Sequence, residues 1–326
     1  MRSALLAVAL PLLAADALAG GSNYGITPGT RDFSDRITEW PVPTPKFARD
    51  PAPGPDGNIY ITVMFADKIA RFDTRTHKFD EWNLPEGTHP HGLLVDPAGR
   101  VWYTGNGKGV IGELDPATGK VIEHKAPSGG SPHTLVIDAA GTIWFTSQSG
   151  YVGRLDRASG RITEYRMSGG PYGIALDRRG GVWVCRMGAD KMGIIDSRTG
   201  KITELDMGRG SMPRRVAAAP DGGLWVTLYG VGKLAHIDPA AAKVVQEYEM
   251  PAGEHGGPYA VTIDGAGRVF ASEIRKDTMA MLDPGTGRFQ VFVLPSRNVG
   301  IRKAIIDAQG RLWYMGSHNG RLGVIE

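Results

Sequence analysis

Short runs of alternating apolar and polar residues dominate the chain, broken at close intervals by Gly, Asp, Asn or Pro. Alternation at period two turns one side of each run into a core and the other toward solvent, as in half-buried β-strands. The spacing of three and four that marks an amphipathic helix is not sustained anywhere in the repeats described next. The strand-like runs recur as a unit of about 42 residues. Its clearest copy reads Pro90-His91-Gly92-Leu93, Asp96, Gly99, Val101-Trp102-Tyr103-Thr104, Ile111-Gly112, Leu114-Asp115 and Thr118-Gly119-Lys120. The next begins Pro132-His133-Thr134-Leu135, a third Pro171-Tyr172-Gly173-Ile174, and others begin near Ala48, Pro213, Pro258 and Gly300.

In each unit the Asp-x-x-Gly and Thr-Gly-Lys steps carry residues suited to tight reversals. Four short strands per unit follow. Helical solenoids share this repeat length but need apolar residues at helical spacing. Gly57, Gly99, Gly141, Gly180, Gly222, Gly267 and Gly310 mark seven units. The pattern therefore predicts an all-β fold, a seven-bladed β-propeller of four-stranded blades over residues 37–326. The last unit ends at Leu322-Gly323-Val324-Ile325-Glu326, which matches only a third strand. Its fourth is found at the other end, where Arg36-Ile37-Thr38-Glu39-Trp40 matches Arg161-Ile162-Thr163-Glu164-Tyr165. The N-terminal strand should close the last blade and remove its open edge. The aromatic of each unit (Trp102, Trp144, Trp183, Trp225, Trp313, with Tyr60 and Phe270 in two copies) is expected between blades.

The chain of 326 residues carries a net charge of only +3 and no basic run interleaved with aromatics, which sets nucleic acid aside. Arg2, the apolar stretch Ala4 to Ala15 and the small residues Ala17-Leu18-Ala19 read as an export signal over residues 1–19, followed by an extension over residues 20–36. A periplasmic or secreted protein is expected, free of the membrane after cleavage, and monomeric. The single cysteine, Cys185, permits no internal disulfide and sits in the strand-like run Val182-Trp183-Val184-Cys185, the place of a small core residue.

Innermost propeller strands line a central channel. Aligned on the repeat, they present Arg49, His91, His133, Tyr172, Arg214, Tyr259 and Arg302, one per blade and none of them aliphatic. Such a ring predicts contact with a ligand, and its arginines favour an anionic small molecule. A second set, fourteen residues on, contains Val63, Gly105, Ser147, Arg186, Leu228, Glu273 and Gly316, of which Arg186 and Glu273 carry charge. Metal binding has weaker candidates in His89, which with His91 points to one side of an extended segment, and in Glu273.

The repeat Pro-His-Gly-Leu…Gly-x-Val-Trp-Tyr-Thr…Ile-Gly…Thr-Gly…Glu-Tyr resembles that of the virginiamycin B lyase family, over Ile37 to Glu326. The resemblance implies a propeller that opens a cyclic depsipeptide by elimination, with a His base and Mg²⁺ steadying the enolate. It places His133 at the base and His91 at the neighbouring substrate contact. The family's metal-binding glutamates fall on Ser131 and Ser147, so Mg²⁺ is implied by the family but not matched by its ligands. Two expectations follow. One is an eliminating lyase in which Arg186 or Arg214 takes over the work of Mg²⁺. The other is a non-catalytic propeller that binds an anionic small molecule or a protein partner.

Overall fold

The Asp-x-x-Gly step closes the first hairpin of a blade and seats its tryptophan with one carboxylate. Asp96 Oδ1 accepts hydrogen bonds from the amides of Ala98 and Arg100, both at 3.0 Å, while Oδ2 accepts from the Trp102 indole at 3.1 Å. The indole bond recurs at Asp138–Trp144, Asp177–Trp183 and Asp307–Trp313, at 3.1, 2.8 and 2.8 Å. The turn glycine supplies a conformation with φ of 80° at Gly99 that other residues adopt only under strain. Sequence thus fixes turn and aromatic together.

A computed structural model describes residues 34–326; the expected export signal over 1–19 and most of the expected extension over 20–36 lie outside the described residues. The strands form seven four-stranded antiparallel sheets, each consecutive in sequence except the last. Blades 1 to 7 begin with the innermost strands Ala48–Pro53, Pro90–Val95, Pro132–Ile137, Pro171–Leu176, Pro213–Ala218, Pro258–Ile263 and Ile301–Ile306. Blade 7 is completed by Ile37–Pro41, which pairs with Arg321–Ile325 so that Ile37 faces Ile325 and Pro41 faces Arg321. The innermost strands of blades 7 and 1 also touch, so the ring is closed. Among the described residues no helix is long and apolar enough to cross a membrane.

Each unit's aromatic packs on the next blade. Trp102 clusters with Leu135 and Phe145, Trp144 with Ile174 and Val182, and Trp313 with Ile59 and Ile61. The hydroxyls of the second strands reinforce this contact near the channel. Thr104 Oγ1 accepts from the Gly92 amide of its own blade at 2.7 Å and donates to the His133 carbonyl of the next at 2.9 Å. Thr62, Thr146, Thr227 and Ser272 make the same bridge to His91, Tyr172, Tyr259 and Ile301. In blade 4 this slot holds Cys185, fully buried, with its thiol pushed up by burial. A thiol so disposed is a core residue and no nucleophile.

Replacing Asp307 by Ala leaves the Trp313 indole and the amides of Gln309 and Arg311 without their acceptor. Losing a buried acceptor shared by several donors should cost on the order of 3 kcal/mol. We expect a lower urea midpoint for Asp307→Ala at unchanged m-value; an unchanged midpoint would contradict this account of the turn.

Candidate functional site at the channel mouth

Every innermost strand carries a β-bulge just after its first residue. In blade 3 Pro132 lies opposite Ser147 while Leu135 lies opposite Phe145, so His133 and Thr134 together face one residue. The same irregularity occurs in all seven blades. A bulge turns two successive side chains toward one side of the sheet. The channel therefore receives two layers, the predicted ring and a second formed by the residue after it: Asp50, Gly92, Thr134, Gly173, Arg215, Ala260 and Lys303.

The predicted ring converges. His91 and His133 pack with ring centroids 3.8 Å apart, and His133 meets Tyr172 at 4.0 Å. Tyr172 and Tyr259 lie edge to face at 6.1 Å, with their hydroxyls in hydrogen-bond contact. The Arg214 guanidinium sits 4.2 Å over Tyr259 and 5.0 Å over Tyr172. Arg302 lies 5.5 Å over Tyr259, and both Arg302 and Arg49 stack on Phe47, at 5.3 and 5.2 Å. Phe47 joins from the loop before the first strand of blade 1, and Tyr229, which packs 4.4 Å from Arg214, from the loop between the second and third strands of blade 5. The repeat alignment gave no signal for either loop residue.

Below the ring, Arg215 crosses the channel. It donates to Thr134 Oγ1 at 2.7 Å and to the Arg302 carbonyl at 3.2 Å, and pairs with Asp50 at 3.5 Å. Lys303 reaches the Leu93 carbonyl at 2.9 Å, and burial lowers its ammonium to about 8. Sequence reasoning missed this layer because it assumed one inward residue per blade. The doublets Arg214-Arg215 and Arg302-Lys303 were the available signal.

Three predicted residues stand apart from the ring. Arg186 ends the second strand of blade 4 and turns along the blade to an ion pair with Glu204 and a 2.7 Å bond to the Ser168 carbonyl. Glu273 accepts from the Ala252 amide at 2.7 Å and from Thr278 at 2.8 Å, and burial raises its carboxyl. His89 faces Phe65 edge-on at 5.9 Å, four blades away from Glu273 in sequence order. Among the described residues no group of three His, Cys, Asp or Glu could hold a metal ion. Ser131 and Ser147 stand at the positions of the family's glutamates, and Ser147 offers a buried hydroxyl without a partner. That donor set does not fit Mg²⁺, a hard cation that takes carboxylate oxygens.

The mouth is cationic and short of acceptors. Arg49 Nε, Arg214 Nε and Arg302 Nη1 are buried without hydrogen-bond partners, and an arginine has no acceptor of its own to satisfy another. Burial holds His91 well below the usual imidazole range, reinforced by Arg49, His133 and Arg215; burial and Arg215, Arg49 and Arg214 do the same to His133. Both rings are neutral at neutral pH. The His133 Nδ1 lies 2.8 Å from Thr134 Oγ1, the same oxygen that Arg215 contacts. In the tautomer with the proton on Nδ1, Thr134 accepts from both and Nε2 is left free; in the other, the Thr134 hydroxyl donates to Nδ1.

The histidine shifts set a pH dependence. Their folded-state values lie below the unfolded value of about 6.5, so the unfolded chain binds protons first as the pH falls. Stability is full above that value and is lost toward the lowered native values. Between pH 7 and about 5 we expect a falling urea midpoint, with a shallower fall in the double variant His91→Gln/His133→Gln. Equal slopes in both proteins would contradict the neutral pair.

The virginiamycin B lyase family model matches residues 27–169 and 86–326 of the chain. No curated protein sequence matches it. Among solved structures, a streptogramin B lyase superimposes with a TM-score of 0.81 at 23% identity, covering 88% of this chain and 96% of that one. A catalytically inactive virginiamycin B lyase from Staphylococcus aureus with quinupristin gives 0.79 at 21%, covering 88% and 98%. The extracellular domain of a hybrid two-component system from B. thetaiotaomicron gives 0.70 at 17%, covering 88% of this chain and 42% of that one. Likeness at these identities speaks for the fold alone, and a fold does not decide function. The match to the family model extends over both ends of the ring, and the chain belongs to the virginiamycin B lyase family.

Proposed function

We propose that the protein is an exported, metal-independent lyase that eliminates across a C–O bond of an ester or depsipeptide-like substrate bound at the channel mouth. The observation that carries this reading is a neutral histidine pair packed beside arginines with unpartnered N–H groups. Elimination needs a neutral base and a fixed positive charge for the electrons it releases. His133 Nε2 takes the proton from the carbon next to the carbonyl. The C–H electrons become the new C=C bond, the C–O bond breaks, and its electrons leave with the carboxylate. His91 holds the His133 ring from the adjoining blade. Arg214 and Arg302 face the enolate and the departing carboxylate with donors shaped for oxygen pairs. Arg186, engaged with Glu204, takes no part.

The burial of His91 and His133, 2% and 1% exposed, favours a second reading. In it the protein is a non-catalytic periplasmic propeller that binds an anionic small molecule through Arg49, Arg214 and Arg302 and releases it unchanged.

The test is incubation of the mature protein with quinupristin, followed by liquid chromatography and mass spectrometry. We expect a product of unchanged mass, a rate unaffected by a chelator, and a loss of at least about 100-fold in His133→Ala. A product heavier by one water, or a reaction stopped by the chelator, would contradict metal-free elimination. Unaltered quinupristin that binds and is released would move the weight to the second reading.

A further inference from the structure

The two tyrosines of the mouth meet among cations, with one hydrogen bond between them for two hydroxyl protons. Tyr172 in blade 4 and Tyr259 in blade 6 meet through their hydroxyls across Arg214 of blade 5. Arg214 Nη2 also donates to the Tyr259 hydroxyl, at 3.4 Å. One phenol can donate to the other, which uses one of the two O–H protons. The groups facing the second are cations or neutral rings: Arg214, Arg215 and Tyr229 from blade 5, Arg302 from blade 7, Arg49 from blade 1, and His133 from blade 3. Arginine only donates. Asp50, the carboxylate of the second layer among the described residues, is already paired with Arg215, and Lys303 adds a further positive charge beside it. Among the described residues the second phenolic proton thus makes no hydrogen bond, and it sits in a field that repels it.

We propose that Tyr172 and Tyr259 share a single proton and serve as the mouth's exchangeable counter-anion, so that binding of an oxyanion, a carboxylate or a phosphate-like group, to Arg214 and Arg302 is coupled to uptake of one proton by the pair. This rests on the reading of the mouth as an anion site and not on the elimination chemistry. Two close ionisable groups titrate as a unit, and the first step belongs to the pair. The electrostatics agree. Burial pushes the Tyr259 phenol up, but Arg215, Arg214 and Arg49 outweigh it and hold it below the ordinary range. Tyr172 is pushed up by burial and then by the charge on Tyr259. An anion drawn to the same arginines competes with the phenolate for them, and protonation of the pair relieves that competition. Elsewhere the trend is opposite: Tyr60, Tyr103 and Tyr314 are all raised by burial.

Tyrosinate absorbance in the near ultraviolet reads the pair directly. The chain has ten tyrosines, so about one-tenth of the full signal should appear as a separate step below the ordinary tyrosine value of about 10. Tyr259→Phe should remove that step, and Tyr172→Phe should shift it upward, because the remaining phenolate loses a donor. At a pH on the step, inorganic sulfate added at constant ionic strength should bleach the signal in the parent protein. Unbuffered solution should turn alkaline as the pair takes up its proton, and neither change should occur in Tyr259→Phe. Tyrosines that all ionise together would overturn the shared proton, and an early step that sulfate leaves untouched would overturn the coupling. Neither result depends on the product of the quinupristin reaction, so the two readings fail separately. Circular dichroism of both Phe variants, expected to match the parent, confirms that a lost step reports the hydroxyl and not the fold.

Discussion

One guanidinium holds the inner ring together. Arg215 projects from blade 5 and bonds to blade 3 through Thr134, to blade 7 through the Arg302 carbonyl, and to blade 1 through Asp50. Asp50 is fully buried, and a carboxylate in that position is tolerable only with its partner present. Neighbouring blades are tied by hydroxyl bridges such as Thr104 to the His133 carbonyl, but Arg215 reaches across the channel. Its effect extends to the mouth. The Thr134 hydroxyl that it fills is the one that touches His133 Nδ1, and the backbone carbonyl that it ties down belongs to Arg302. The charge in the layer beneath therefore helps position the upper ring and adds to burial in keeping its histidines neutral.

The bulge makes this possible. An unbroken strand would send successive side chains to opposite faces, and each blade could give the channel one side chain at this level. With two residues opposed to one, each blade contributes a pair, and blade 5 sends Arg214 upward to the tyrosines and Arg215 across the axis. Positive charge accumulates with little to neutralise it. The consequences are the neutral histidines, the tyrosine pair short of an acceptor and the arginine donors left open. A site of this kind suits chemistry in which negative charge arrives or develops. The positions that the resemblance assigns to the family's glutamates hold Ser131 and Ser147, and in the proposed reaction the arginines supply the positive charge.

The fold was legible in the sequence because its determinants are local and repeated. Asp307, Gly310 and Trp313 state in seven residues what a hairpin turn and a blade contact require, and Ile37-Thr38-Glu39 names its own partner strand by likeness to other outer strands. The ring of Arg49, His91, His133, Tyr172, Arg214, Tyr259 and Arg302 could be aligned for the same reason. What sequence left out depends on contacts between distant segments. Arg186 shares a repeat position with Glu273, yet its direction is set by Glu204 eighteen residues later. Phe47 precedes the first strand of blade 1 and Tyr229 sits in a hairpin loop of blade 5, where the strand pattern sets no direction, and the inward turn of Arg215 and Lys303 needs a bulge that alternation alone does not predict.

The central claim is that the mouth concentrates uncompensated positive charge from Arg49, Arg214 and Arg302. A crystal of the mature protein grown in bromide, with anomalous differences collected at the bromine edge, tests it most directly. The account predicts a bromide site at the mouth, within reach of the open guanidinium donors and lost in Arg214→Met. Bromide bound only at the outer surface of the blades, with none at the mouth, would contradict it.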